Sequence, residues 1–229
     1  MENGYLSYLR KEVKDKDLLK IITLLSTGSV TSLCLSGNTL GDKGLIDLSS
    51  WMASNKSLQH LFIKSNNITN KGVSKLANIL KSNDRLIELS LYDNNIKSNG
   101  CIEILNVLKI NSTITSLNLA ENNIDNDASI ELSKVLRTNN SIKNLDLRDN
   151  FFDDSKSKEI LESLKFNTSL EFFSLENNKS VKKFLYGVKR IIRENKKQEE
   201  ALERRNEKIV KEFFFFFIFF KIIIVNIFI

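Results

Sequence analysis

One pattern recurs through most of the sequence at a fixed spacing of 28 residues. Each copy begins with L-x-x-L-x-L-x-x-N, of which residues 86–94 (LIELSLYDN) are the clearest example. The copies follow one another without insertion, and each continues into apolar residues four positions apart, as on one face of a helix. A unit of one short strand and one helix lacks the apolar surface to close its own core, so the copies must stack on their neighbours.

The last position of this pattern is an asparagine in every copy. The six residues are Asn38, Asn66, Asn94, Asn122, Asn150 and Asn178. This polar side chain stands where the chain turns inward, and an unpaired buried amide costs roughly 1–3 kcal/mol. We therefore interpret the column as a structural ladder, in which each amide bonds backbone groups of its own loop and of the adjacent loop.

On these residues the chain resembles a leucine-rich repeat protein between about residues 30 and 178. The 28-residue period with a full helix in each copy is similar to the ribonuclease-inhibitor-like subclass. That subclass includes the repeat domains of NOD-like receptors, Ran GTPase-activating proteins and tropomodulin-type actin regulators. The resemblance implies an α/β solenoid, a right-handed horseshoe with a parallel inner sheet and outer helices.

The chain divides into four predicted segments. They are an N-terminal helical cap (1–28), an array of six strand units (29–178), a charged C-terminal helix whose first part caps the array (179–212) and an apolar tail (213–229). The 28-residue pattern is expected to stop after Asn178, and residues 179–212 hold twelve Lys and Arg against six Asp and Glu. Interleaved charges are typical of a solvated helix, and without a recognition motif nucleic acid is not an expected partner.

The final seventeen residues, FFFFFIFFKIIIVNIFI, have two interpretations. An apolar run close to the roughly 20 residues of a spanning helix, preceded by basic residues, is typical of a C-terminal membrane anchor. Alternatively the run is a gene-model artefact, because Phe, Ile, Lys and Asn all have codons made only of A and T. Membrane attachment is expected only through this segment. The first residues carry no secretory signal, which predicts a cytoplasmic chain.

The strand residues that flank the leucines predict a partner-binding surface. In a solenoid of this kind they point away from the helices into the hollow, and we call this surface the concave face. Aromatic and Arg side chains on it are of interest because interface hot spots are enriched in Tyr, Trp and Arg. The candidate partner-binding residues are His60, Phe62, Lys64, Glu88, Tyr92, Asp93, Asn118, Glu121, Asp146, Arg148, Asp149, Phe172 and Glu176.

No motif in the sequence indicates an enzyme or a metal site. His60 is the only histidine, the two cysteines are far apart in the repeat register, and neither a phosphate-binding glycine-rich loop nor a nucleophile elbow occurs. We therefore expect a monomeric, non-enzymatic module or scaffold that binds a protein partner without a cofactor. One alternative is a GTPase-activating regulator, because LSGNTLG (35–41) resembles the first repeat of Ran GTPase-activating proteins. The other is a tail-anchored membrane adaptor.

Overall fold

Strands and helices alternate along the chain in a computed structural model that describes residues 4–13, 15–26, 30–179 and 182–227. Within these ranges seven strands form one sheet in the order β1-β2-β3-β4-β5-β6-β7. The strands are β1 (Tyr5–Ser7), β2 (Ser32–Cys34), β3 (His60–Phe62), β4 (Glu88–Ser90), β5 (Ser116–Asn118), β6 (Asn144–Asp146) and β7 (Phe172–Ser174). The helices are α1 (Asp15–Ser26), α2 (Gly41–Met52), α3 (Asn70–Leu80), α4 (Lys97–Leu108), α5 (Ser129–Thr138), α6 (Ser157–Leu164) and α7 (Lys182–Ile227).

The pairing of the strands turns the sequence period into a structural unit. Leu33 pairs with Leu61 and Leu61 with Leu89, and the same offset of 28 residues continues to β7, always in parallel. These leucines are fully buried between the sheet and the helices, where they contact a core that includes Leu76 and Ile104. Burial of each such side chain stabilises the fold by roughly 1.5–3 kcal/mol. The predicted fold class, an α/β solenoid with one parallel sheet, is confirmed.

The amino-terminal segment contains more than the predicted helical cap. Helix α1 lies there, but β1 precedes it and pairs with β2. Tyr5 aligns with Ser32, which is 27 residues away, and Lys11 stands where a repeat would have its asparagine, so the 28-residue pattern does not extend to this unit. β1 and α1 therefore form a degenerate first repeat. Residues 1–3, 14 and 27–29 are outside the described part, and the predicted limit of the cap at residue 28 lies among them.

The asparagine column bonds each loop to its neighbour. Asn94 is representative and is 8% exposed. Its Oδ1 accepts the N–H groups of Asn66 and Ile68, both at 3.0 Å. Its Nδ2 donates to the carbonyls of Ile63 at 3.1 Å and Leu91 at 2.9 Å. The other asparagines also donate to a carbonyl of the unit before them, so the direction of the ladder is constant.

A second asparagine column joins the carboxyl ends of the helices. Nδ2 of Asn139 donates to the carbonyl of Leu108 at 2.7 Å, and Nδ2 of Asn167 donates to the carbonyl of Asn139 at 3.0 Å. Oδ1 of Asn139 accepts the N–H of Ile142 at 2.8 Å, which turns the chain out of α5 towards β6. Each of these side chains therefore ends one helix and holds the end of the helix before it.

Helix α7 continues this second column, which corrects the prediction that the repeat pattern stops after Asn178. Asn195 lies 28 residues beyond Asn167. Its Nδ2 donates to the carbonyls of Leu164, at 3.2 Å, and Asn167. Val188, at an apolar position of the helical period, is 2% exposed. The first part of α7 therefore occupies the helix position of the sixth 28-residue unit, whose strand is β7, and covers the end of the core.

Beyond the solenoid, α7 runs on through residue 227, and its residues 201–212 are exposed. The prediction of an apolar tail at 213–229 concerns side chains outside the described part of the structure. No helix among the described residues combines the length and the apolar character that crossing a membrane requires.

The ladder predicts that Asn94→Ala destabilises the protein. The substitution leaves the buried N–H groups of Asn66 and Ile68 without an acceptor, so we expect the free energy of unfolding to fall by roughly 2–4 kcal/mol. Urea denaturation followed by circular dichroism measures the change. Asn140→Ala, at an exposed position, is the control and should stay within about 0.5 kcal/mol of the parent chain. Equal stability of the two variants would contradict this account of the column.

The position of α7 predicts a local effect of Asn195→Ala. Loss of its bonds to the end of α6 should destabilise the docked part of α7 by about 1–2 kcal/mol and speed amide hydrogen exchange there. Exchange in β4, far along the sheet, should not change. Asn206→Ala, in the exposed part of the same helix, is the matched control. If both variants exchange like the parent chain, α7 does not depend on the second column.

Candidate protein-binding face

The sheet surface opposite the helices is built by the residues on either side of each buried leucine. In β3, Leu61 is buried, whereas His60 and Phe62 are partly exposed, and β4 and β5 show the same alternation. Successive side chains of a strand point to opposite faces, and neighbouring strands lie about 4.8 Å apart. Equivalent residues of successive repeats therefore form columns across the sheet on the concave face.

Where each strand ends, the residue before the ladder asparagine has a left-handed backbone. The angle φ is +55° at Asp93, +52° at Glu121 and +55° at Asp149. The N–H of Asp93 donates to the carbonyl of Ala120 and that of Glu121 to the carbonyl of Arg148, both at 3.0 Å. Such a backbone is uncommon for residues with a side chain, and these inter-repeat bonds hold it. The turns place three carboxylates side by side, which we call the acidic row (Asp93, Glu121 and Asp149).

Tyr92 is the centre of a group of side chains that joins three repeats. Nζ of Lys64 lies 4.0 Å from the centroid of the Tyr92 ring, and the Tyr92 hydroxyl donates to the carboxylate of Glu121. The hydroxyl of Ser65 donates to Asp93 at 2.5 Å in the neighbouring column. A cation over an aromatic face is attracted by the ring quadrupole. We call Lys64, Tyr92 and Glu121 the central cluster.

Contact with Glu121 also makes the Tyr92 phenol a weaker acid. The hydrogen bond to Glu121 is the largest cause, followed by burial and then by the negative charges of Glu121, Asp93 and Asp149. Together they raise the pKa of Tyr92 from its ordinary 10.0 to about 12. At neutral pH the hydroxyl is therefore protonated and donates to Glu121, which fixes the orientation of the ring on the concave face.

A second group lies one repeat beyond the central cluster. Nη2 of Arg148 is 2.7 Å from Oδ2 of Asp146 and Nε is 3.0 Å from Oδ1, a two-pronged ion pair. This hydrogen bonding to Asp146 raises the pKa of the Arg148 guanidinium. Asn118 donates to Asp146 at 3.4 Å. Asp146 was predicted to contact a partner, but it is 6% exposed, so its role here is to hold Arg148, which is partly exposed.

The amino-terminal end of the predicted face holds a histidine–carboxylate pair. Nδ1 of His60 lies 3.1 Å from Oε2 of Glu88 on the neighbouring strand, and both side chains are partly exposed. Phe62 is also partly exposed. These residues lie on β3 and β4, at the edge of the central cluster, and belong to the same continuous surface.

The carboxyl-terminal end includes a residue that the sequence did not identify. Nζ of Lys189 in α7 lies 2.6 Å from Oε1 of Glu176, beside Phe172, which is 43% exposed. The repeat pattern contains no position for Lys189, because its place depends on how α7 docks. Phe172 lies on β7 and Phe62 on β3, so these two predicted aromatic residues are four strands apart.

The described part of the chain contains no candidate metal site. Within the described ranges no group of three or more His, Cys, Asp or Glu side chains is placed to hold a metal ion. Both cysteines are buried and free, and burial raises the pKa of the Cys101 thiol to about 12. The concave face instead presents polar and aromatic groups that contacts within the sheet hold in place.

Known proteins resemble this chain in its repeats and its fold. The family model described as Leucine Rich repeat matches residues 29–49, 54–77 and 111–132. A solved structure titled Leiomodin-1 Actin-Binding Site 2 is 22% identical with a TM-score of 0.56, over 72% of this chain and 96% of that chain. A tropomodulin C-terminal domain from Caenorhabditis elegans is 16% identical with a TM-score of 0.46, over 58% of this chain and 97% of that chain. No curated protein matches in sequence.

The central cluster predicts the titration of one phenol. The absorbance difference between the parent chain and Tyr92→Phe, recorded against pH, isolates Tyr92 and should have its midpoint near 12. In a Glu121→Gln background the midpoint should move towards 10, because the strongest acceptor and its charge are lost. Since the folded-state pKa is the higher one, the stability that Tyr92 contributes is present below pH 10 and lost between about pH 10 and 12.

Circular dichroism at each pH shows whether the chain is still folded at the midpoint of the titration. An unshifted midpoint in the Glu121→Gln background, with the fold intact, would mean that the hydroxyl does not donate to Glu121 in solution.

Proposed function

We propose that this chain, a leucine-rich repeat protein, is a non-enzymatic scaffold that binds a protein partner on its concave face. Each of its 28-residue units adds one strand and one helix. Leucine-rich repeats serve many unrelated functions, so the proposal rests on the face itself and not on the fold. The observation that carries it is the central cluster with the acidic row beside it.

The central cluster has the properties of an interface anchor. Tyr92 is partly exposed and is already held by Lys64 and Glu121. A side chain that is ordered before binding loses little conformational freedom when a partner covers it. Tyrosine is also among the residues that most often contribute large binding energies at interfaces. The partner is therefore expected to place an apolar or aromatic group against the Tyr92 ring.

The acidic row indicates the charge of the partner. Its three carboxylates belong to successive repeats, about 4.8 Å apart along the sheet. None of Asp93, Glu121 and Asp149 forms an ion pair with another of the described residues. A row of like charges that form no ion pairs attracts a surface of the opposite sign and favours fast, salt-dependent association. We therefore infer that the partner presents Lys or Arg side chains to this edge of the concave face.

Actin is the first partner to test. The solved structure of similar fold is titled as an actin-binding site of leiomodin-1, and at 22% identity the likeness supports the shared fold alone. Binding to actin is therefore part of the proposal, to be measured directly with purified monomeric actin. A null result would remove actin and leave the concave face open to another protein.

The other interpretations of the sequence gain no support from the comparisons. Stimulation of GTP hydrolysis by purified small GTPases would test the GTPase-activating alternative. Fractionation of the full chain beside a chain that ends at Glu212 would test the tail-anchored adaptor and the expected cytoplasmic location. Sedimentation would test the expected monomer.

The acidic row predicts that neutral substitutions weaken binding without unfolding the chain. We expect the triple variant Asp93→Asn, Glu121→Gln, Asp149→Asn to lower affinity at least about tenfold, which is about 1.4 kcal/mol. Its melting temperature should change little, because the left-handed turns and their backbone bonds remain. Immobilised parent and variant chains would be compared for the proteins they retain from a lysate. The dissociation constants for a retained partner, or for actin, would then be measured by calorimetry.

A matched control carries the same charge change on the other side of the molecule. Asp84→Asn, Glu103→Gln and Glu159→Gln alter exposed residues on the helices and their turns. The control should bind like the parent chain. If both triple variants lose binding equally, the effect is one of net charge. If neither loses binding, the partner does not use the acidic row.

A further inference from the structure

No strand follows β7 in the part of the chain that the structure describes. In the repeat before it, the asparagine that ends the helix turns the chain into the strand, because Oδ1 of Asn167 accepts the N–H groups of Ser169 at 3.1 Å and Leu170 at 2.8 Å. Asn195 occupies the equivalent position at the end of the next unit, but α7 continues past it. Among the described residues β7 therefore pairs with β6 alone and is an edge strand.

The open edge of β7 presents the same backbone groups that join the inner strands. Between β6 and β7, the N–H of Leu147 donates to the carbonyl of Ser174 at 3.0 Å, and the N–H of Asp149 makes an equivalent bond two residues later. One repeat on, the N–H groups of Leu175 and Asn177 have no acceptor among the described residues. An edge with unpaired groups at strand spacing is a template for one more strand.

A cleft of about 380 Å³ lies between this edge and α7, and we call it the edge cleft. Phe172 and Phe173 of β7 line one side of it, and Ile192 of α7 lines the other. Phe172 is 43% exposed, so a large apolar surface is open at the entrance. The edge cleft therefore combines unpaired backbone groups with an apolar wall, which are the two features that a bound extended peptide uses.

The charges around the edge cleft are predominantly positive. Its two acidic residues are already paired, Glu176 with Lys189 at 2.6 Å and Glu171 with Lys143, the residue before β6, at 2.7 Å. Arg193 and Lys196 of α7 also line the cleft, are exposed, and form no ion pair with the described residues. The uncompensated charge at this end of the sheet is therefore that of two cations.

We propose that the edge cleft binds an acidic, extended segment of a partner protein, which joins the sheet as an eighth, parallel strand. Its carbonyls accept the N–H groups of Leu175 and Asn177, its carboxylates meet Arg193 and Lys196, and an apolar side chain covers Phe172. This site lies at the carboxyl-terminal edge of the sheet and has the opposite charge to the acidic row. It shares Phe172 and Glu176 with the concave face, but it binds a different segment and does not depend on the function proposed for the acidic row.

Three synthetic peptides test this proposal with the full-length chain. The first has the sequence EVEFEVE, which alternates carboxylates with apolar residues. The second replaces Glu by Lys, and the third keeps EVEFEVE but is N-methylated at alternate residues, which blocks backbone pairing. Fluorescence anisotropy should show saturable binding of the first peptide, weakened at least about tenfold by Lys or by N-methylation. Binding should slow amide exchange at Leu175 and Asn177, measured by NMR.

Charge-reversal variants locate the site. Arg193→Glu with Lys196→Glu should weaken binding of EVEFEVE at least about tenfold. Arg205→Glu with Lys211→Glu makes the same charge change at exposed residues farther along α7 and should bind like the parent chain. Melting temperatures are compared among four chains, which are the parent, the two charge-reversal variants and the triple variant that neutralises the acidic row. They show that the variants are folded. The fourth chain carries the neutralised acidic row and should bind EVEFEVE as the parent chain does, which separates this site from the concave face.

Several results would overturn the proposal. Equal loss in both charge-reversal variants would mean attraction to net charge alone. Equal binding of the N-methylated peptide would exclude strand addition, and so would unchanged exchange at Leu175 and Asn177. If sedimentation shows a dimer that Arg193→Glu with Lys196→Glu dissociates, the occupant of the edge cleft is a second copy of this chain.

Discussion

Each loop of the solenoid that has a following repeat depends on an asparagine amide of that repeat. Asn94 accepts the backbone N–H groups of the preceding loop and donates to the preceding strand, with bonds of about 3 Å in both directions. The apolar core cannot position the loops, because leucines hold units together without fixing the path of a loop. The amide ladder fixes that path, and the parallel register of the strands follows from it.

The surface proposed to bind a partner is a consequence of the same constraint. Once the ladder fixes the turn, the preceding residue takes a left-handed backbone, and its side chain projects at the edge of the sheet. The acidic row exists because three consecutive turns carry Asp93, Glu121 and Asp149 at this position. Tyr92, one residue earlier in its repeat, is thereby placed within reach of Glu121 on the next strand. Structural residues and the residues proposed to bind a partner thus alternate within a few positions of one another.

Much of this arrangement can be predicted from the sequence, because a strict repeat period determines both the register of the strands and which residues are buried. The Asn column, the buried leucines and the columns of the concave face all follow from it. The burial of Asp146 could not be predicted, since it depends on how Arg148 folds over it. β1 was not predicted, because its offset from β2 is 27 residues and its unit lacks the ladder asparagine. The place of Asn195 in the second asparagine column could have been predicted, since it keeps the 28-residue period. The basic composition around it obscured that period.

Both asparagine columns point the same way, and this gives the solenoid a polarity. Asn94 forms hydrogen bonds with the loop before it, and Asn195 forms hydrogen bonds with the end of α6, the helix before it. If the last unit detaches, the unit behind it loses the acceptors of its buried N–H groups and the donors to its helix end, so opening spreads backwards. If the first unit detaches, the N–H groups of Thr31 and Ser32 lose their acceptor, the carbonyl of Gly4, but the loop of the next unit keeps the acceptors that the ladder supplies. The ladder therefore loosens from its carboxyl-terminal end, and the docked part of α7 holds that end in place.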